Sequence, residues 1–341
     1  MTPENLSKKG KLFKPRDAKL FKPRNSLGNT GGQFYVAKNP TYGAVFTYHL
    51  KDLPKTSKSK RIQSERKLNS EKKDIPFPGY KALSDEMNEK PASIILTIKD
   101  SGGNHIQNVI KVASEGSGRI AWNLRHRSYY PVRSGSFRGG WGWNPSGPYV
   151  TPGDYQAELF LENNGSIEKL DGPINFSVKP LREGTLKGSS YDEYNSFRER
   201  VSELYVNISK YEDVFSMIGD KIQLLAKAST QLESFSPDMI AKIADFRKRY
   251  NDYEYENDSS PARDEIGEWY KPNLGARIRI AMQGLSTSYG PTELNSSNLE
   301  IAERHFEKMK NEIEQLNKEV KDLENEVKQL NPPYIIGQGI D

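Results

Sequence analysis

The sequence predicts a multidomain chain, β then α: an Ig/FnIII-like antiparallel β-sandwich followed by a long antiparallel helical hairpin or bundle. Three observations predict it. Short segments before about residue 181 alternate apolar and polar residues with period two, and turn signals separate them. Beyond that point the apolar residues recur at three-four spacing over many heptads.

The β part is plainest between Gly118 and Leu159, where GRIAWNLRH, a loop rich in Gly, Arg and aromatic residues, and GPYVTPGDYQAEL lie end to end. Earlier, YGAVFTYHL (42–50) sets Ala44, Phe46, Tyr48 and Leu50 on one face. SIILTIKD (93–100) does the same with Ile94, Leu96 and Ile98, and HIQNVIKV groups Ile106, Asn108, Ile110 and Val112. Trp122 points inward with Ile120 and Leu124, and Tyr155 with Ala157, Leu159 and Leu161. INFSVKPL supplies a last strand through Ile174, Phe176 and Val178. The Pro152–Gly153 pair suits a type II turn.

The α part has two seams. One runs from Tyr194 through Phe197, Val201, Leu204 and Ile208 to Leu232, the other from Leu299 through Phe306, Ile313 and Val320 to Leu330. Regular heptads of this length are a coiled-coil signature. The g positions Glu312, Glu319 and Glu326 are all acidic, so identical parallel copies gain little cross-pairing. Antiparallel packing within one chain is therefore expected, with a homodimer through one seam as the alternative. Shorter helices are expected at 236–250, with a Ser cap and a Pro in the first turn, and at 271–285.

Domain limits follow: a basic extended connector over 1–38, the sandwich over 39–182 with a charged insertion at 51–75, a helical coiled-coil bundle over 188–331 and a tail over 332–341. KLFKPR occurs twice, at 11–16 and 19–24, too short a unit for a solenoid and so read as connector. Residues 1–75 hold 18 Lys/Arg against 6 Asp/Glu. Such a stretch either attracts anionic surfaces or is a solvated linker, and no aromatic or helical signature of a nucleic-acid partner accompanies it.

Composition is 35% hydrophobic and 28% charged, with no cysteine, which excludes thiolate catalysis and Cys-ligated metal. No apolar run reaches membrane-spanning length, and the first residues lack the apolar stretch of a signal peptide. Read literally, the chain is soluble and not exported on its own. The four histidines, His49, His105, His126 and His305, sit in different elements and read as surface or strand positions rather than ligands. No nucleophile elbow, phosphate loop or dinucleotide fingerprint is present. No catalytic, metal or cofactor residue is therefore assigned.

The one stretch with binding character is the loop 126–150, where Tyr129, Tyr130, Phe137, Trp141 and Trp143 interleave with Arg127, Arg133 and Arg138. Tyr129, Tyr130, Arg133, Phe137, Arg138, Trp141 and Trp143 are the candidate binding residues. The rings either pack on the protein's own body or dock a partner, a neighbouring domain first of all.

LFKPRDAKLF, NPTYGAVFTYHLKD, PASIILTIKDSG, GRIAWNLR and GPYVTPGDYQAEL, followed by a helical tail, resemble the C-terminal region of bacterial BNR-repeat proteins. These are exported β-propeller proteins of the sortilin- or sialidase-like type, usually labelled glycosyl hydrolases. The sandwich part also resembles the Ig-like domain of flagellar hook-capping proteins. The resemblance implies a non-catalytic C-terminal accessory or docking module. Its partner would be a β-propeller, its carbohydrate contact would come through that propeller, and its place would be periplasmic or extracellular. The Asp-box motifs of the propeller are not in this sequence, so any hydrolytic carboxylates would lie elsewhere, and the chain is expected to be a fragment. The alternatives are part of a glycan-processing hydrolase, or an oligomerising coiled-coil protein.

Overall fold

A computed structural model describes residues 2–23, 37, 39–132, 146–182, 184–233, 236–257, 261–268 and 271–337. The chain divides into a β unit, up to Ser128 and from the end of the 126–150 loop to Leu186, and a helical unit that takes Tyr129, Tyr130 and the chain from Lys187 onward.

In the β unit a short helix α1 (Pro3–Ser7) leads into β1 (Gly10–Leu12), β2 (Ala18–Leu20) and β3 (Ala44–Leu50). Helices α2 (Ser57–Ser70) and α3 (Tyr80–Asn88) follow, then β4 (Ser93–Asp100), β5 (His105–Val112), β6 (Gly116–Trp122), β7 (Gly153–Asn163) and β8 (Ser166–Pro180). The strands form a three-stranded sheet, β1-β3-β6, and a five-stranded sheet, β2-β8-β7-β4-β5. One core serves both, with Leu12, Phe46, Tyr48, Leu96, Trp122 and Leu159 fully buried within it. Trp122 packs tilted against Tyr155 at 5.3 Å and edge-on to Phe176 at 6.0 Å. Its indole N–H is shared between the Gln107 side chain and the Arg125 carbonyl, so the ring is buried at no polar cost.

The helical unit holds α4 (Tyr191–Ser229), α5 (Pro237–Asn257), the short α6 (Pro261–Glu265), α7 (Leu274–Gln283) and α8 (Glu293–Lys328). Ser190 and Glu193 close a capping box on α4, and Thr292 and Asn295 close one on α8. At about 1.5 Å per residue the two long helices extend roughly 58 Å and 54 Å. Cross-links between them keep one sequence offset: Arg200 to Glu303, Tyr211 to Glu314 and Lys221 to Glu324 are each 103 residues apart. A constant offset means that α4 and α8 run parallel. The core agrees, since Tyr194–Ile208 packs with Leu299–Phe306 and Ile218–Ala228 with Ile313–Val327. The descending pass comes from α5, where Lys242 meets Glu326 and Arg249 meets Glu319, and from α7 beside the start of α8.

The expected Ig/FnIII-like sandwich followed by an antiparallel hairpin is therefore corrected in both halves. The described residues form eight helices and two unequal sheets, the larger curled into a half-barrel. β2 joins that sheet parallel to β8, pairing Ala18 with Val178. The long helices form a parallel pair bridged by a broken third pass, in which Arg249 and Lys242 of α5 pair with Glu319 and Glu326. Residues of both seams pack against each other within this chain.

Three smaller expectations are corrected with it. The stretch expected as an extended connector contributes β1 and β2: Leu12 fills the core, and its N–H donates to Asp171 at 2.8 Å. Gly153 opens β7 and is absent from the positive-φ glycines, so it does not make the expected type II turn. On β5 only Ile106 is buried, while Ile110 and Val112 face outward, because β5 is an edge strand paired with β4 alone.

Candidate functional site

The loop singled out by the sequence leaves the β unit from a tightly fixed base. After Trp122 the chain bends at Leu124 (φ 57°), which is itself fully buried. Arg125 then lies 3.7 Å over the Tyr149 ring while its guanidinium donates to the Gly147 carbonyl at 2.8 Å. Backbone bonds from His126 to Pro148 and from Val150 to Leu124 close the base, and Arg127 donates to Ile106. Glycine is required at 147, where a Cβ would fall 2.2 Å from the His126 carbonyl oxygen. Loop entry and exit are thus clamped together by one cation–π contact and a short ladder.

Tyr129 and Tyr130 belong to the helical unit. Their rings stack at 5.1 Å, and both meet Tyr205 of α4 edge-on, at 5.3 and 5.0 Å. Burial first, then the neighbouring Tyr129 and Tyr205, pushes the Tyr130 phenol well above its ordinary value of 10.0. Of the seven candidate residues these two are thus brought together as packing groups. Arg133, Phe137, Arg138, Trp141 and Trp143 lie outside the described residues.

The other polar groups of the β unit are engaged with one another. Glu158 is nearly buried between Lys99 at 2.6 Å and Lys169. Burial opposes ionisation of Asp171, but Lys11 and the N–H groups of Leu12 and Gly172 outweigh it and hold the carboxyl below its ordinary range. His105 bonds Asn108 at 2.9 Å. No group of three or more metal-ligating side chains occurs among the described residues. A shallow cavity of 340 Å³ beside β7 and β8 is lined by Lys14, Asp154, Asn175 and Ser177, with Ser177 donating to Asp154 at 2.6 Å.

A second surface, the α2–α3 arm, lies in and just beyond the charged insertion marked at 51–75; α2 forms within that insertion and α3 was not expected. Neither helix buries a residue. The pair is held by the Arg61 fork on Glu86, at 2.8 Å through both Nε and Nη2, and by the Ser57 N–H on Glu89. An open groove of 610 Å³ along α2 is lined by Lys55, Lys58, Ile62 and Arg66 with hydroxyls between them. The signal in the sequence was IPFPGY, an apolar run set inside a charged stretch.

Compared with known proteins, the chain matches no family model and no curated protein. Among the described residues no helix is long and apolar enough to cross a membrane.

Proposed function

We propose that this chain is a non-catalytic accessory module that docks on and stiffens a β-propeller partner, as its resemblance to the C-terminal region of exported BNR-repeat proteins implies. In that setting it works outside the cytoplasm, and carbohydrate is met through the propeller. The observation that carries the reading is the ladder of constant offset between α4 and α8. Three passes cross-linked by Arg200–Glu303, Lys221–Glu324, Arg249–Glu319 and Lys242–Glu326 make a stiff strut. Such a strut suits holding partners at a fixed distance. Ion pairs also brace the rest of the chain, where Glu158, Glu86 and Glu319 are held ionised by Lys169, Arg61 and Arg249.

Co-expression with a β-propeller polypeptide of the BNR-repeat type tests the proposal. The two are expected to co-purify, and the propeller's melting temperature is expected to rise. Separate elution with an unchanged melting temperature would refute it.

A further inference from the structure

The α2–α3 arm carries an apolar tip beside a dense positive charge, and the docking function above uses neither. Ile75, Phe77, Tyr80 and Met87 are 48, 64, 85 and 87% exposed within thirteen residues of chain. Large apolar side chains this close together and this exposed mark an interaction surface. The tip is also held in place. Pro76 and Pro78 flank Phe77 and confine its backbone, and Gly79 turns the chain at φ 88° so that Tyr80 meets Phe77 edge-on at 5.1 Å. Residues 55–73, immediately before it, hold eight basic side chains against two acidic ones. Arg61 and Lys73 are taken by ion pairs, whereas Lys60, Arg66, Lys67 and Lys72 make none among the described residues.

We infer that this arm is a membrane-surface anchor: its basic helix meets anionic lipid headgroups while Phe77, Tyr80 and their apolar neighbours enter the interface. Charge complementarity selects an anionic surface. The apolar groups select lipid over the other anions. Aromatic and aliphatic side chains flanked by lysines are the pattern of interfacial anchoring, where long basic side chains lie along the interface with their charge in the headgroups. A nucleic-acid partner would be met by a series of stacking platforms along a groove, whereas the Phe77 and Tyr80 rings cross at 69° on a protruding turn, and Ile75 and Met87 have no role on bases. The arm, moreover, is an exposed tip, suited to entering a fluid surface.

Co-sedimentation of the full chain with phosphatidylcholine vesicles, with and without phosphatidylglycerol, tests this. Binding to the anionic vesicles should exceed binding to neutral ones at least tenfold and weaken as salt rises. F77S/Y80S should lose most of that binding with an unchanged melting temperature, since neither ring is buried. K60E/R66E/K67E should abolish it and leave the circular dichroism spectrum as it was. Equal binding to both vesicle types, no binding at low salt, or full binding by either variant would overturn the inference. So would tighter binding of a single-stranded DNA oligomer than of the anionic vesicles, lost in the same variants. Because vesicles contain no propeller, failure here leaves the co-expression result to stand or fall separately.

Discussion

Glu158 ties three strands together. It sits on β7 with Lys99 of β4 on one side and Lys169 of β8 on the other. Lys169 first, then Lys99, holds the folded carboxyl below its ordinary 4.5. A depressed folded value means stabilisation that is fully present above about pH 4.5 and is lost as pH falls through the folded value. E158Q should therefore cost about 1 kcal/mol at pH 7, kept modest because both ammonium groups reach solvent. Urea melts should show the gap to the parent closing below about pH 4. Gly43 is a sharper case. Its φ is 106°, and a Cβ there would stand 1.9 Å from the Trp122 carbonyl oxygen in the paired strand. G43A should cost about 2 kcal/mol or more, read as a fall in melting temperature. Gly43 was visible in the sequence only as a residue before a strand, because the carbonyl it must accommodate is some eighty residues away. Leu12 and Ala18 were hidden for another reason: strands of three residues are too short to display a period.

At the scale of elements, the long strands and helices were legible and their partners were not. β3, β4, β6 and β7 bury the faces their alternation marked, because a two-residue period leaves only one set of side chains to turn inward. β5 broke the rule at the sheet edge, where Ile110 and Val112 have no second layer over them. Heptad spacing placed α4 and α8 but carried no direction, since an apolar stripe is the same read from either end. The acidic g positions pointed to an antiparallel pair, whereas α4 and α8 run parallel. Those positions did not show that Lys242 and Arg249, on a helix lying between in sequence, would supply the cations. The energetics of the pair should be lopsided. I313A, at a 1% exposed position in the seam, should cost about 3 kcal/mol in denaturant melts. R200A removes a solvent-facing ion pair with Glu303 and should cost less than about 1 kcal/mol. A reversed order would mean that the ladder, rather than the core, holds the helices together.

For the molecule as a whole, charge follows the division of the sequence. Residues 1–186 hold 30 basic and 17 acidic side chains, residues 187–341 hold 20 and 28. The excess positive charge was plain from the sequence, and so was a charged insertion. The exposed tip at its end was not, because exposure depends on what fails to pack against Phe77 and Tyr80, and composition is silent on that. The aromatic loop was legible as a feature but not as a role. Tyr129 and Tyr130 meet Tyr205, a residue whose position on α4 gave no hint of the contact. Through its helical unit the chain runs up along α4, down along α5 and α7, and up again along α8. That path sets the strut on which the docking proposal rests. The absence of cysteine allows it to be measured with paired spin labels. R200C/E303C and K221C/E324C should both report short separations, and R200C/E324C should report one longer by about 30 Å, the rise of some twenty helical residues. A short R200C/E324C distance together with a long R200C/E303C distance would show an antiparallel pair and contradict the account.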